Sequence, residues 1–333
     1  MTAELRDTLS RTSPLPEPWS APVLHHDTIV ADGLSLSRAG ISSTGPSGVE
    51  MNGAAAELDG SPLRRSWLEL LERVCTVEAM GSGEPLVVRD EGGAATGVAS
   101  VAEVFPQSDA PERWQYARSN GVALHESWAG ACQFGRWELA ERHCVLRAWD
   151  GLGAAPAQLE HFAHELPQTA SFEWAAFHFG SAPFAPEAHV VGVFGFPRSK
   201  ELPVAIGYGA RGDLAGAVRR ATSEALQNLA FLWGEPLSEA APAPAPSPMF
   251  HLEYFQSRVG RELLRAWLEG ARVPSGASAT TRTSVRYVDL TPPWLAGGMR
   301  VAKALCSSAE TLVFGDAPTR AHLQAEIRTH PIA

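Results

Sequence analysis

Two segments of this 333-residue chain repeat one arrangement of charged residues. Ser66-Trp-Leu-Glu69-Leu-Leu-Glu72-Arg73 and Trp137-Glu138-Leu-Ala-Glu141-Arg142 both contain Glu-x-x-Glu-Arg. On a helix, residues three apart share a face, so each copy sets two carboxylates side by side, with an arginine four residues after the first. Two such pairs facing one another make a four-carboxylate pocket, which repels itself unless a cation occupies it. Oxygen donors of this kind suit magnesium, the usual carrier of a nucleotide's phosphates. One copy alone would be read as a solvated helix face with weak ion pairs. A second copy, again with a serine upstream, makes the metal reading of Glu69, Glu72, Glu138 and Glu141 the stronger one.

These side chains need helices to carry them. Leu63, Trp67, Leu70, Leu71 and Val74 recur at helical spacing, which predicts a helix from Pro62 to about Ala79, stopped by Gly81-Ser-Gly83. Ser127 to about Trp149 reads as the second helix, ended by Gly151. Asp213 is placed to cap a third, through about Leu232. A further helix is expected from about His251 to Gly270. Strands are expected at Leu86 to Arg89, at Ser284 to Leu290, at Thr311 to Phe314, and in a hairpin of His189 to Phe196 with Leu202 to Ile206. Glu69 and Glu138 lie 69 residues apart, too far for a solenoid array, which suggests duplication inside one α/β domain. Residues 1–27, with Pro14, Pro16 and Pro18, read as a poorly ordered arm ahead of one domain over 28–333. Within it, the Pro/Ala-rich stretch 236–248 reads as an extended spacer.

Composition narrows the function. The net charge is −10 and no basic run is present, so the chain lacks the electrostatic footprint of nucleic-acid binding. Cys75, Cys132, Cys144 and Cys306 are widely spaced, which argues against a zinc site or a disulfide scaffold. The N-terminus lacks a basic start with an apolar core, and no apolar run reaches membrane-spanning length. A cytoplasmic protein without membrane or nucleic-acid partners is expected. Val204-Ala-Ile-Gly207-Tyr-Gly209-Ala-Arg-Gly212 imitates a dinucleotide fingerprint, but no second strand ending in an acid follows, so these glycines are read as serving a tight turn.

The motifs in sequence order resemble the YcaO-domain family. They are Asn52-Gly-Ala-Ala, Ser66-x-x-Glu-x-x-Glu-Arg, Ser119-Asn-Gly with Glu138-x-x-Glu-Arg, and Arg220-Ala-Thr-Ser-Glu224-Ala-Leu-Gln227. Val288-Asp-Leu-Thr291, Phe314-Gly315 and the terminal His330-Pro-Ile-Ala333 add to them. The resemblance spans roughly residues 30 to 333 and implies a YcaO-like α/β domain of repeated helix and strand units, its ATP-binding helices facing one another. It implies ATP and Mg2+ as cofactors, and activation of peptide backbone amides, most commonly the cyclodehydration of Cys, Ser or Thr to thiazoline or oxazoline.

By motif position, the resemblance assigns Ser66, Glu69, Glu72, Ser119, Glu138, Glu141 and Arg142 to the nucleotide and its metal, with Glu224 and Gln227 in the third motif. Arg142 would neutralise charge developing on the transferred phosphoryl group. The Ala333 carboxylate or His330 would take the amide proton. The implied partners are a ribosomal precursor peptide, a separate leader-peptide-binding protein and a flavin dehydrogenase, with homodimer formation left open. The chain departs from the family pattern at Gly130, where an acid is usual, and at His125, where glycine is usual. Glu126 is the nearby candidate to replace that acid. These departures keep two alternatives open: a non-catalytic YcaO scaffold in a peptide-modifying complex, and a thioamide- or amidine-forming enzyme.

Overall fold

The computed structural model describes residues 15–46, 48–107, 111–270, 284–295, 298–315 and 329–332. Among the described residues helix and strand contribute almost equally, 31% and 32%. The chain clusters into two compact units.

The first unit draws on Met1–Phe105, Arg118–Glu138 and Ser284–Cys306. Strands β1 (Val23–Ala31), β2 (Leu34–Thr44) and β3 (Glu50–Leu58) form an antiparallel sheet in that order. Asp32 and Gly33 join β1 to β2 at φ of 50° and 85°, the two positive values that a tight primed hairpin turn requires. β1 thus begins inside the stretch expected to be an unordered arm. Trp19 shows why: its indole is 9% exposed and its Nε1 donates to Glu78 Oε1 at 2.8 Å, anchoring the chain just after the prolines.

Helix α1 (Leu63–Gly81) follows β3. Its apolar stripe of Trp67, Leu70, Leu71 and Val74 packs in one core with Ile41, Val88, Val122, Val288 and Val301. A five-stranded sheet runs β5 (Ala95–Ala99), β4 (Leu86–Arg89), β12 (Arg286–Asp289), β13 (Arg300–Leu305), β7 (Val122–His125). The short helix α2 (Val101–Val104) was not expected from the sequence, whereas the long helix α3 (Trp128–Trp149) matches the expected second helix.

The second unit draws on Pro106–Ala117, Leu139–Thr283 and Ser307–Ala333. Its four-stranded antiparallel sheet has the order β11 (Ala205–Arg211), β10 (Ala185–Pro197), β9 (Phe172–Ala182), β8 (Ala157–Gln158). β6 (Trp114–Tyr116) pairs with β14 (Val313–Gly315). Helix α4 (Leu214–Leu232) is capped by Asp213, whose Oδ1 accepts the Gly216 N–H at 2.7 Å. It lies directly on β11. A Cβ on Gly207 would fall 2.1 Å from Ala225 N, and one on Gly209 2.7 Å from Ala217 O. Gly207 and Gly209, read as turn residues, are therefore strand residues, small because a helix backbone passes against them.

The helix expected over 251–270 is two helices, α5 (Pro248–Gln256) and α6 (Arg258–Leu268). Ser257 divides them: its hydroxyl donates to Tyr254 O at 2.6 Å and receives the Gly260 N–H at 3.2 Å, closing one helix while capping the next.

Two buried histidines give this unit a pH response. Burial pushes both His143 and His251 down to about 4. Folded, they stay neutral where an unfolded chain protonates below about 6.5, so stability is complete above that pH and is lost as pH falls toward 4. Each contributes up to about 3 kcal/mol to that loss. The urea midpoint is expected to drop between pH 7 and pH 5, and most of the drop to vanish in a His143→Gln/His251→Gln double variant. An identical slope in that variant would refute the assignment.

Candidate active site

In the first unit, the first Glu-x-x-Glu-Arg copy is held by β3 and β7. Glu69 accepts the Ala54 N–H at 3.0 Å and Arg73 Nη2 at 2.5 Å. Arg73 Nη1 reaches Asn52 through its carbonyl at 3.0 Å and its side-chain oxygen at 2.6 Å. Asn52 and Ala54 flank Gly53, so the Asn-Gly-Ala motif is the backbone against which Glu69 and Arg73 are fixed. Glu72 Oε2 accepts the Leu124 N–H from β7 at 3.0 Å.

Glu72 is the electrostatic centre of the group. Desolvation, then the charges of Glu138 and Glu69, push its carboxyl up to about 8, against the lowering pull of the Leu124 N–H and Arg73. Burial, with two further carboxylates from α1 and the middle of α3 adding their charge, thus makes Glu72 give up its own charge near neutrality. Hard oxygen donors that repel one another fit a magnesium ion, whose charge reverses the penalty. Among the described residues, no three His, Cys, Asp or Glu side chains already stand as a ready ligand set.

Other sequence candidates are placed differently. Ser66 is fully buried, with its hydroxyl 3.0 Å from the carbonyls of both Ala39 and Pro62. Ser119 lies in the turn whose carbonyl accepts the Val122 N–H at 3.0 Å. Beneath it, fully buried Lys303 donates to Asn120 O at 2.5 Å and Arg118 O at 3.1 Å. The position that carries an acid in the family pattern is filled by another residue: a Cβ on Gly130 would sit 2.0 Å from His125 Nδ1. The His125 ring thus occupies the space that a side chain at 130 would need. Glu126 pairs with Arg64 at 2.9 Å with its side chain 70% exposed, so it does not take that acid's place.

In the second unit, Glu141 and Arg142 occupy the turn of α3 after Glu138 and are partly buried. Glu224 and Gln227 line a cavity of about 250 Å3 with Tyr208, Asn228, His251 and Pro331. Tyr208 was not singled out from sequence. It is 4% exposed, and its hydroxyl has no hydrogen-bond partner among the described residues. Burial, then the charges of Glu141 and Glu224, hold its phenol far above the usual range, so it remains a neutral O–H. Its signal was the Gly-Tyr-Gly step: glycines facing a helix on one side of a strand leave the intervening side chain to the other.

The tail reaches this cavity through Pro331 and Ile332. His330 is 1% exposed, its ring stacked on His251 at 3.9 Å, its N–H donating to His251 Nδ1 at 3.2 Å and its Nε2 facing Val313 O at 3.1 Å. Ring stacking and these bonds make it an anchor for the tail. Ala333 lies outside the described residues.

A family profile described as YcaO cyclodehydratase, ATP- and Mg2+-binding, matches residues 96–310. YcaO from Methanopyrus kandleri, solved bound with AMPPCP and Mg2+, has a similar fold. The two are 17% identical over 92% of this chain and 90% of that one, with a TM-score of 0.55. A chain of the E. coli microcin synthetase McbBCD complex with pro-MccB17 bound is also similar, at 12% identity over 85% of this chain and 87% of that one, TM-score 0.51. No curated protein sequence matches the chain. Among the described residues no helix is long and apolar enough to cross a membrane.

Proposed function

Because the chain belongs to the YcaO family, whose cofactors are ATP and Mg2+, we propose that it activates backbone amides of a ribosomally made precursor peptide. The reaction we favour is cyclodehydration of Cys, Ser or Thr to thiazoline or oxazoline. The observation that carries this reading is buried Glu72, held on the Leu124 N–H and pushed up to about 8 by desolvation first and then by the charges of Glu138 and Glu69. Such a group is costly to assemble unless a cation is to be held there.

Bound ATP supplies the phosphoryl group that lets an amide oxygen leave as phosphate. The chain's residues supply position and charge. Glu69, Glu72 and Glu138 would hold the metal, and Glu141, on the next turn of α3, is the fourth carboxylate of this reading. Ser66 and Ser119 belong to the motifs that border the nucleotide. Arg142 offsets negative charge as it develops. Glu224 and Gln227 present polar atoms to the cavity that Tyr208 also lines. The proposed proton acceptor stays with the segment that follows His330, whose own ring is stacked on His251 and hydrogen-bonded to Val313 O. A leader-peptide-binding protein would deliver the precursor, and a flavin dehydrogenase would oxidise the rings.

The departure at Gly130 and His125 favours one competing reading, a scaffold that keeps the fold without turnover. Mass spectrometry of a cognate precursor incubated with the chain, its partner, ATP and Mg2+ decides between them. Loss of one water per modified residue is expected. No mass change together with no nucleotide binding by calorimetry supports the scaffold.

A further inference from the structure

The second unit also carries a concentration of positive charge. Lys200, Arg258, Arg261 and Arg265 line a cavity of about 170 Å3 with Glu239 and Glu262. Four cations around one cavity run against the composition of a chain with net charge −10. Three of them are matched. Lys200 lies 2.5 Å from Glu239, Arg258 lies 2.9 Å from Glu262, and Arg265 lies 3.8 Å from Glu173 with its guanidinium 4.1 Å above the Phe196 ring.

Arg261 differs from the other three. Its Nε donates to the Gln256 carbonyl at 2.8 Å, which fixes the plane of the guanidinium. Among the described residues it forms no ion pair. Burial lowers its pKa from the usual arginine value, and the Glu239 charge offsets this only in part. A half-desolvated cation held by one nitrogen leaves its two Nη groups for an incoming acceptor.

We propose that this cavity is a carboxylate-recognition site in which the Arg261 fork takes one Asp or Glu side chain of an extended peptide. A fixed planar guanidinium favours two parallel bonds to a carboxylate. A phosphate dianion fits less well, because the surplus is one charge and Glu239 and Glu262 border the same space. Leu237 and the stems of Arg258 and Arg265 give an apolar wall to the residues beside the acid. The choice of a peptide as partner rests on the peptide-handling function proposed above; the choice of a carboxylate rests on Arg261.

The test is fluorescence anisotropy of the full chain with a labelled Gly-Ser-Ala-Asp-Leu-Ser-Gly peptide and its Asp-to-Asn counterpart, without nucleotide. Failure here would leave the ATP reading standing, and failure of that reading would leave this measurement intact. The Asp peptide is expected to bind about tenfold tighter or more, as for a charge-assisted pair. Arg261→Gln should erase that ratio and Arg261→Lys retain part of it. Acetate should displace the peptide at lower concentration than inorganic phosphate. Equal binding of the two peptides by the wild-type chain would overturn the proposal, and so would an unchanged ratio in Arg261→Gln or stronger competition by phosphate. The wild-type comparison needs no variant to fold.

Discussion

Glu72→Gln is expected to lower phosphate release from ATP by on the order of a hundredfold or more, measured with precursor and partner present, while leaving the metal-free protein folded at pH 7. The two halves of this expectation have one cause. With its carboxyl pushed up to about 8, Glu72 is mostly protonated at pH 7 until a cation arrives, so glutamine copies the state it already holds. The amide oxygen can still accept the Leu124 N–H that Glu72 accepts at 3.0 Å. What glutamine cannot do is ionise, and on the proposed reading it is that charge which would meet an incoming magnesium ion.

The same shift fixes a pH signature. A folded pKa above the unfolded value of about 4.5 means that the folded state holds the proton longer, so stability is complete below 4.5 and declines as pH rises through 8. This slope runs opposite to that of His143 and His251, and a variant comparison separates them. Between pH 6 and pH 8.5 the urea midpoint of metal-free wild type should fall more than that of Glu72→Gln. Parallel curves, or undiminished phosphate release, would remove Glu72 from the centre of the site.

Long periodic elements were legible because their signals are local. Leu63, Trp67, Leu70 and Val74 specify a stripe that can only be a helix face, and Asp213 caps the helix it was expected to cap. Signals that depend on what lies across space were misread. Gly207 and Gly209 look like turn residues until α4 is seen to pass within a methyl's reach. Ser257 interrupts an apolar pattern that otherwise runs straight through, and only its two hydroxyl bonds show that it ends one helix and starts another. At the site, the paired glutamates were visible because three-residue spacing fixes a face, whereas Tyr208 and His251 meet Glu224 only when β11, α4 and α5 come together. Gly130 was read as a missing acid. The His125 ring filling the space beside it is a contact between β7 and α3 that no spacing encodes.

Gly53→Ala should be the most destabilising small substitution in the first unit. A Cβ there would stand 2.0 Å from the Ser66 carbonyl oxygen and 2.4 Å from Leu70 N. Both are backbone atoms of α1, so no rotamer change relieves the clash; strand and helix must separate. Overpacking of this kind costs about 3 kcal/mol. The damage should also reach the chemistry, because Asn52 and Ala54 on either side hold Arg73 and Glu69. Gly40→Ala is the matched control: it lies on neighbouring β2, an added Cβ meets nothing within 4 Å, and its effect should stay within about 0.5 kcal/mol. Urea midpoints give the stability difference. Calorimetry with Mg2+ and a non-hydrolysable ATP analogue gives the second effect, weaker nucleotide binding in whatever fraction of Gly53→Ala remains folded. If Gly53→Ala unfolds at the midpoint of Gly40→Ala and binds nucleotide equally well, the contact between β3 and α1 does not position the site.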